Sequence, residues 1–164
     1  MWDLLGLVAA TGVLSAAWTT LWTWVAEGRQ RKANARYVAM RAAISLEDYA
    51  IRCWQLLYSG PEHLKQTGSP MAQDVPELES MPDSADWVNV DPTLANEALS
   101  FSNSVSIVQI IVAHARHLEN NPFDAETYAK ERGQAAWAIA ERLRRKYGLD
   151  DRADQRKQLA ELLI

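Results

Sequence analysis

The chain has 164 residues, 48% of them hydrophobic and 23% charged, with only 7 Gly and 6 Pro. That excludes a collagen-like or wholly disordered polymer and leaves room for one domain plus an appendage. A formal charge of -4 argues against a dedicated nucleic-acid binder, and the single cysteine, Cys53, excludes an intramolecular disulfide framework and a multi-cysteine zinc site.

From Leu4 to Val25 the sequence runs without a charge, a length of about 33 Å if helical, enough for the hydrocarbon core of a bilayer. Trp2 stands at one end, and Trp18, Trp22 and Trp24 gather near the other, as rings that prefer the headgroup boundary do. Arg29, Arg31, Lys32 and Arg36 follow, whereas the N-terminal flank offers only the terminal amine and Asp3. This charge order is the reverse of a secretory signal peptide. The positive-inside rule then puts the N-terminus outside and the rest of the chain in the cytoplasm, at a cell (inner) membrane crossed once. Reducing conditions there suit a lone thiol. Thr11, Ser15, Thr19, Thr20 and Thr23 keep a buried helix of a soluble protein as the competing reading. Within the run, Gly6 with Ala10 and Gly12 with Ala16 are small-residue pairs that allow a second transmembrane helix to approach.

Beyond the basic flank, Tyr37, Met40, Ile44, Glu47, Ile51, Trp54 and Tyr58 alternate at spacings of three and four, predicting a helix with that seam inward and Arg41, Ser45, Asp48 and Arg52 on the opposite face. With Gly28 as the one weak residue between them, the apolar run and this helix are predicted to form one rod, bent at Gly28 and ending at Ser59-Gly60-Pro61. Glu47 interrupts the seam, so it needs a polar partner. Ser102, Asn103, Ser106, Gln109 and Arg116 of the next helix are the candidates.

Residues 60–92 hold five of the six prolines and seven acids against Lys65 alone. They read as an acidic connection with at most short helical turns, anchored by Trp87 with Val88 and Val90. Asp91-Pro92 starts the next helix, carboxylate capping and proline in the first turn, and the pattern carries it to between His117 and Asn120. Apolar residues on most of its sides predict a central, well-buried position. Asn120-Asn121-Pro122 breaks the chain and Asp124 caps a helix closed by Gly148, with Tyr128, Ala136, Ile139, Leu143 and Tyr147 inward. A short last helix carries Leu159, Leu162, Leu163 and Ile164.

Catalytic signatures are absent. His114 and His117 share a helix side near Glu119 but have no committed third ligand, making them weak metal candidates beside the plainer reading of exposed histidines at a helix end. Cys53 has no histidine nearby to activate it. No serine sits in a nucleophile elbow, and no glycine-rich phosphate or dinucleotide loop occurs. A second basic cluster, Arg142, Arg144, Arg145 and Lys146, reads as a solvated helix end.

The sequence thus predicts an all-α protein: an N-terminal single transmembrane helix (1–27), a juxtamembrane helix (28–59), an acidic Pro-rich connection (60–92) and the remaining helices of a small antiparallel bundle (93–164). The predicted function is a non-enzymatic interaction or regulatory module with no cofactor, whose partners are the lipid bilayer and either a protein partner or a second copy. A metal-binding or enzymatic bundle using His114 and His117, and a structural subunit of a larger membrane assembly, are the alternatives.

Overall fold

The computed structural model describes the backbone of residues 2–68, 74–79, 81–116, 124–149, 158 and 161, and side chains from Trp18 onward except those of residues 19, 20, 84 and 124. The described residues are helical with no strand: α1 (Trp2–Thr67), a 3-10 turn (Ser84–Asn89), α2 (Pro92–His114) and α3 (Asp124–Tyr147). The predicted terminal helix and Trp2's side chain lie outside the described residues, apart from helical Gln158 and Glu161.

α1 is one helix of 66 residues, about 99 Å long at the helical rise. It passes Gly28, as predicted, but also passes Ser59-Gly60-Pro61, where the sequence predicted a stop. Proline disfavours a helical predecessor chiefly through that residue's Cβ, and the predecessor here is glycine. Gly60 is buried, and a Cβ on it would run into the Glu126 carboxylate of α3. Tertiary contact therefore reaches α1 at Gly60, beside the predicted stop, and the helix runs on through exposed residues 64–67 to end at Gly68, whose φ is 71°.

The inward face of α1 is not the predicted one. Tyr37, Met40, Ile44 and Tyr58 are exposed, Ile44 by 52%, while Ala35, Val38, Ala39, Ala42, Ala43, Leu46, Tyr49, Ala50, Cys53 and Leu56 are buried. The core stripe is thus rotated by about a residue and made largely of alanine. α3 runs antiparallel along it and contributes Ala129, Ala136, Ala140, Ile139 and Leu143 to the same core. Alanine on both helices lets backbones approach closely, so dispersion contacts replace the bulk that larger side chains bring. Tyr49 adds an edge-to-face contact with Phe101 of α2, ring centroids 5.6 Å apart.

α2 starts as predicted. Pro92 is its first residue, and the Asp91 carboxylate accepts from the Thr93 and Leu94 amides at 3.1 and 3.3 Å. Its predicted central position is not found. Leu94, Ala95, Ala98, Phe101, Val105, Val108 and Val112 are buried, but Leu99, Ile107, Ile110 and Ile111 face outward. Among the described residues three helices and a strap share the core, and they leave this side of α2 uncovered. The α-helix proper runs to His114 and continues as a π-turn through Ala115 and Arg116, and the predicted end, His117 to Asn120, lies outside the described residues.

The described part of the acidic connection beyond α1, residues 74–79 and 81–90, packs as a strap. Val75 is buried with Val108, Val112 and Ala125, the Gln109 amide donates to the Val75 and Pro76 carbonyls, Arg116 pairs with Asp74, and Arg52 pairs with Glu79 at 3.3 Å. Trp87 is the predicted anchor, buried with its indole N–H donating to the Pro82 carbonyl at 3.1 Å. Val90 joins it, whereas Val88 faces solvent.

α3 closes as the glycine predicted. Gly148 has φ of 56° and the Leu149 amide donates back to the Arg144 carbonyl at 3.1 Å, a Schellman-type end with Leu149 buried beside it.

The corrected α1 phase has a measurable consequence. Ala43→Leu forces extra volume into the seam and lowers unfolding stability by about 1–3 kcal/mol, while Ile44→Ala, one residue on, changes it by no more than about 0.5 kcal/mol. Denaturant melts of the two variants check this, and the reverse order would return the seam to the larger residues.

Candidate functional site

Two surfaces stand out once the bundle is assembled: one end of it, and one face of α2. From Trp18 to Asn34 none of the described side chains of α1 is buried. Trp18, Leu21, Trp22 and Trp24 stand exposed around this stretch, Trp24 by 73%. Arg29, Arg31, Lys32 and Arg36 come next along the same helix, Arg31 paired with Glu27 at 3.2 Å on the surface. Of the predicted interface residues, Trp18, Trp22, Trp24, Arg29, Arg31, Lys32 and Arg36 are thus exposed, with Arg31, Lys32 and Arg36 beside the end of α3. Among the described residues no helix is long and apolar enough to cross a membrane. Most of the uncharged run, including both small-residue pairs, has side chains outside the described ones.

The antiparallel course of α3 brings its C-terminal end to this basic stretch, a juxtaposition that the two clusters read separately do not reveal. Arg36 donates to the Gly148 carbonyl at 3.1 Å, and Tyr147 accepts the Asp91 amide at 2.7 Å. An open cleft of about 370 Å3 lies between them, lined by Arg31, Lys32, Ala35, Arg36, Asn89, Lys146 and Tyr147. Lys146 pairs with Asp91 at 3.1 Å. That lysine, then the Leu94 amide, hold the Asp91 carboxyl below its ordinary value.

The second cluster is not simply solvated. Its side chains splay to different neighbours: Arg142 pairs with Glu97 of α2 at 2.7 Å, Lys146 with Asp91, and Arg144 with Glu47 of α1. The last pair answers the question that Glu47 raised. Its carboxylate sits at the edge of the core and accepts two parallel bonds from Arg144, Nε to Oε1 at 2.5 Å and Nη2 to Oε2 at 2.7 Å. The two side chains are 14% and 15% exposed. The partner comes from α3 and not from the predicted set on α2, because α3 is the helix that runs along α1. The fork geometry fixes both direction and register, a role that a lone hydroxyl cannot match.

The remaining candidates are quieter. Cys53 is fully buried; removal from water pushes its thiol up to about 11, which leaves it protonated at neutral pH and unreactive. His114 is exposed, and among the described residues no group of three or more His, Cys, Asp and Glu side chains could hold a metal. His117 and Glu119 lie outside the described residues.

The α2 face is the surface that sequence reasoning missed. Leu99, Ile107, Ile110 and Ile111 lie at helical spacing on one side, Ile107 and Ile110 exposed by 57% and 70%. Ser100, Asn103, Ser106 and His114 share that side. This mixed composition was the available signal, because a fully buried helix has no need of polar residues recurring with the same period.

A double-mutant cycle tests the Glu47 pair. Glu47→Ala and Arg144→Ala each lower stability by about 1.5–3 kcal/mol, and the double variant loses much less than the sum, a coupling of more than about 1 kcal/mol. Additive losses in thermal melts would show that the pair contributes no specific interaction. Comparison with protein-family profiles, curated proteins and solved structures finds no match to this chain.

Proposed function

We propose that the chain is a membrane-tethered, non-enzymatic interaction module: α1 anchors it in the inner membrane with its N-terminus outside, and the cytoplasmic bundle presents α2 to a protein partner. The observation that carries the anchor is the stretch of α1 from Trp18 to Asn34 with no buried side chain among the described ones, where exposed Trp18, Leu21, Trp22 and Trp24 give way to Arg29, Arg31 and Lys32, with Arg36 following at the end of α3. Four large apolar side chains in water on an unsupported helix are costly, and the boundary between acyl chains and headgroups satisfies them while the cations after them meet anionic headgroups. The uncharged run from Leu4 to Val25, with these tryptophans at its end, supplies the length that a span needs.

The α2 face supports the partner. Ile107, Ile110 and Ile111 form an exposed aliphatic cluster with Leu99 about 12 Å back along the helix and polar Ser100, Asn103 and Ser106 between, the anchor-and-rim pattern of helix-to-helix recognition. A partner helix with apolar residues at three- and four-residue spacing fits it, and a second copy of this chain is the other occupant to distinguish.

Topology is tested in cells with Val88→Cys, an exposed position on the strap, against the inert native Cys53. A membrane-impermeant maleimide labels it only after the cells are opened, and the protein stays with the membranes through carbonate washing. Labelling of intact cells rejects the orientation, and release by carbonate rejects the anchor.

The partner surface has its own readout. A photo-crosslinking residue at Ile110 captures a second polypeptide, one at exposed Lys130 on α3 does not, and Ile107→Asp abolishes the capture while leaving the melting temperature unchanged. Capture of a second copy makes the module a homo-oligomer, and equal capture from both sites removes the surface.

A further inference from the structure

The cleft at the bundle's end is a meeting point of cations from two helices far apart in sequence. Arg31, Lys32 and Arg36 come from α1, and Lys146 from the last turn of α3. Two of them carry carboxylates, Glu27 on Arg31 and Asp91 on Lys146. The Arg31–Glu27 pair is largely exposed and so weak and readily exchanged, while in the other pair the Asp91 side chain is 27% exposed and the Lys146 ammonium, 57% exposed, has three N–H donors of which Asp91 takes one. Lys32 has no carboxylate partner among the described residues, and Arg36 spends one donor on the Gly148 carbonyl, an uncharged acceptor. That contact answers one carbonyl just past the end of α3, and the cations around it offset the partial negative charge of the helix end. Asn89 and the Tyr147 hydroxyl add polar groups to the wall. At about 370 Å3 the cleft lies at the lower end of small-ligand sites.

Its position selects the ligand. Arg31 is seven residues and Arg36 twelve residues beyond Trp24, about 10 and 18 Å along α1. Should Trp24 mark the edge of the hydrocarbon core, the cleft's near wall stands a few ångströms beyond the headgroup layer and its far wall roughly a Debye length beyond it. Flexible Lys and Arg side chains close the remaining distance.

We propose that this cleft binds the phosphate of an anionic lipid headgroup, gripped between Lys32 and Arg36 of α1 and Lys146 of α3. The inference rests on the membrane reading for its choice of ligand source, while the shared chemistry is a phosphate anion. Binding couples the end of α3 to the membrane surface, so the bundle stands end-on against anionic lipid.

The test uses the full chain in a mild uncharged detergent, titrated with short-chain phosphatidylglycerol, short-chain phosphatidylcholine and inorganic phosphate, with bound adducts read by native mass spectrometry. Phosphatidylglycerol binds at least fivefold more tightly than phosphatidylcholine, and Lys32→Ala and Lys146→Ala each weaken it by roughly fivefold. Both variants keep the wild-type melting temperature within a few degrees. Equal binding of the two lipids, or unchanged affinity in the Lys32→Ala, Lys146→Ala double variant, overturns the site. Inorganic phosphate binding as tightly as phosphatidylglycerol overturns the lipid as its source. Failure of the anchor is seen separately, because a chain released by carbonate that still discriminates the two lipids in detergent keeps the cleft and loses only the span.

Discussion

Small residues at the α1–α3 contact set the terms for everything else in the bundle. Ala35, Ala39, Ala42, Ala43 and Ala50 on one helix and Ala129, Ala136 and Ala140 on the other are all buried in one core. Close helix approach supplies dispersion contact at little side-chain entropy cost, since alanine has no rotamers to lose. It also leaves little room for error. With so few large side chains to interlock, register must come from elsewhere, and the Glu47–Arg144 fork is placed where it can set it. The same close contact carries α3 back along α1 until its end meets the basic stretch, so the cleft at that end is a consequence of the alanine seam.

α2 stands in a different relation to the core. It is clasped to α3 by polar contacts along its length: Asp91 with Lys146 and the Tyr147 hydroxyl, Glu97 with Arg142, and Ser104 with Arg132 at 3.3 Å. Its apolar side meets Tyr49 and the strap, and its outer side is left aliphatic. A helix held by its flank can keep a face open that a helix wedged into the centre cannot. The acidic connection adds to the packing, with Trp87 in the main core and Val75 in the smaller cluster with Val108, Val112 and Ala125.

Features with a local physical cause were legible in the sequence. Asp91-Pro92 and Gly148 act through capping and backbone conformation within a few residues, and each sits where its chemistry predicts. Trp87 was legible for a similar reason, as a large apolar side chain in an otherwise polar stretch. The α1 seam was not, because large residues dominate any reading of periodicity. Tyr37, Met40 and Ile44 form one convincing stripe, while the alanines that actually bury lie on a stripe one residue away and carry little hydropathy each. Glu47 illustrates the boundary between the two cases: its need for a partner follows from its place in the helix, but the identity of Arg144 depends on which helix lies alongside and in which direction. The basic end was hidden in the same way, since neither Arg31-Lys32 nor Lys146-Tyr147 points toward the other until the chain is folded. The continuation past Pro61 shows tertiary contact overriding a local signal, with Gly60 removing the Cβ that would have made the override expensive.

The unbroken course of α1 also ties angles together. Each residue of an α-helix turns the next by about 100°, and between Trp24 and the first buried residue, Ala35, there is no loop to absorb a change of phase. The bundle is therefore geared to whatever holds the tryptophans: one residue inserted or deleted in that interval swings α2's aliphatic face through more than a quarter turn about the helix axis, and seven inserted residues restore nearly the original heading while lifting the bundle by about 10 Å. Rotation of α1 and the compass direction in which α2 is offered are a single degree of freedom.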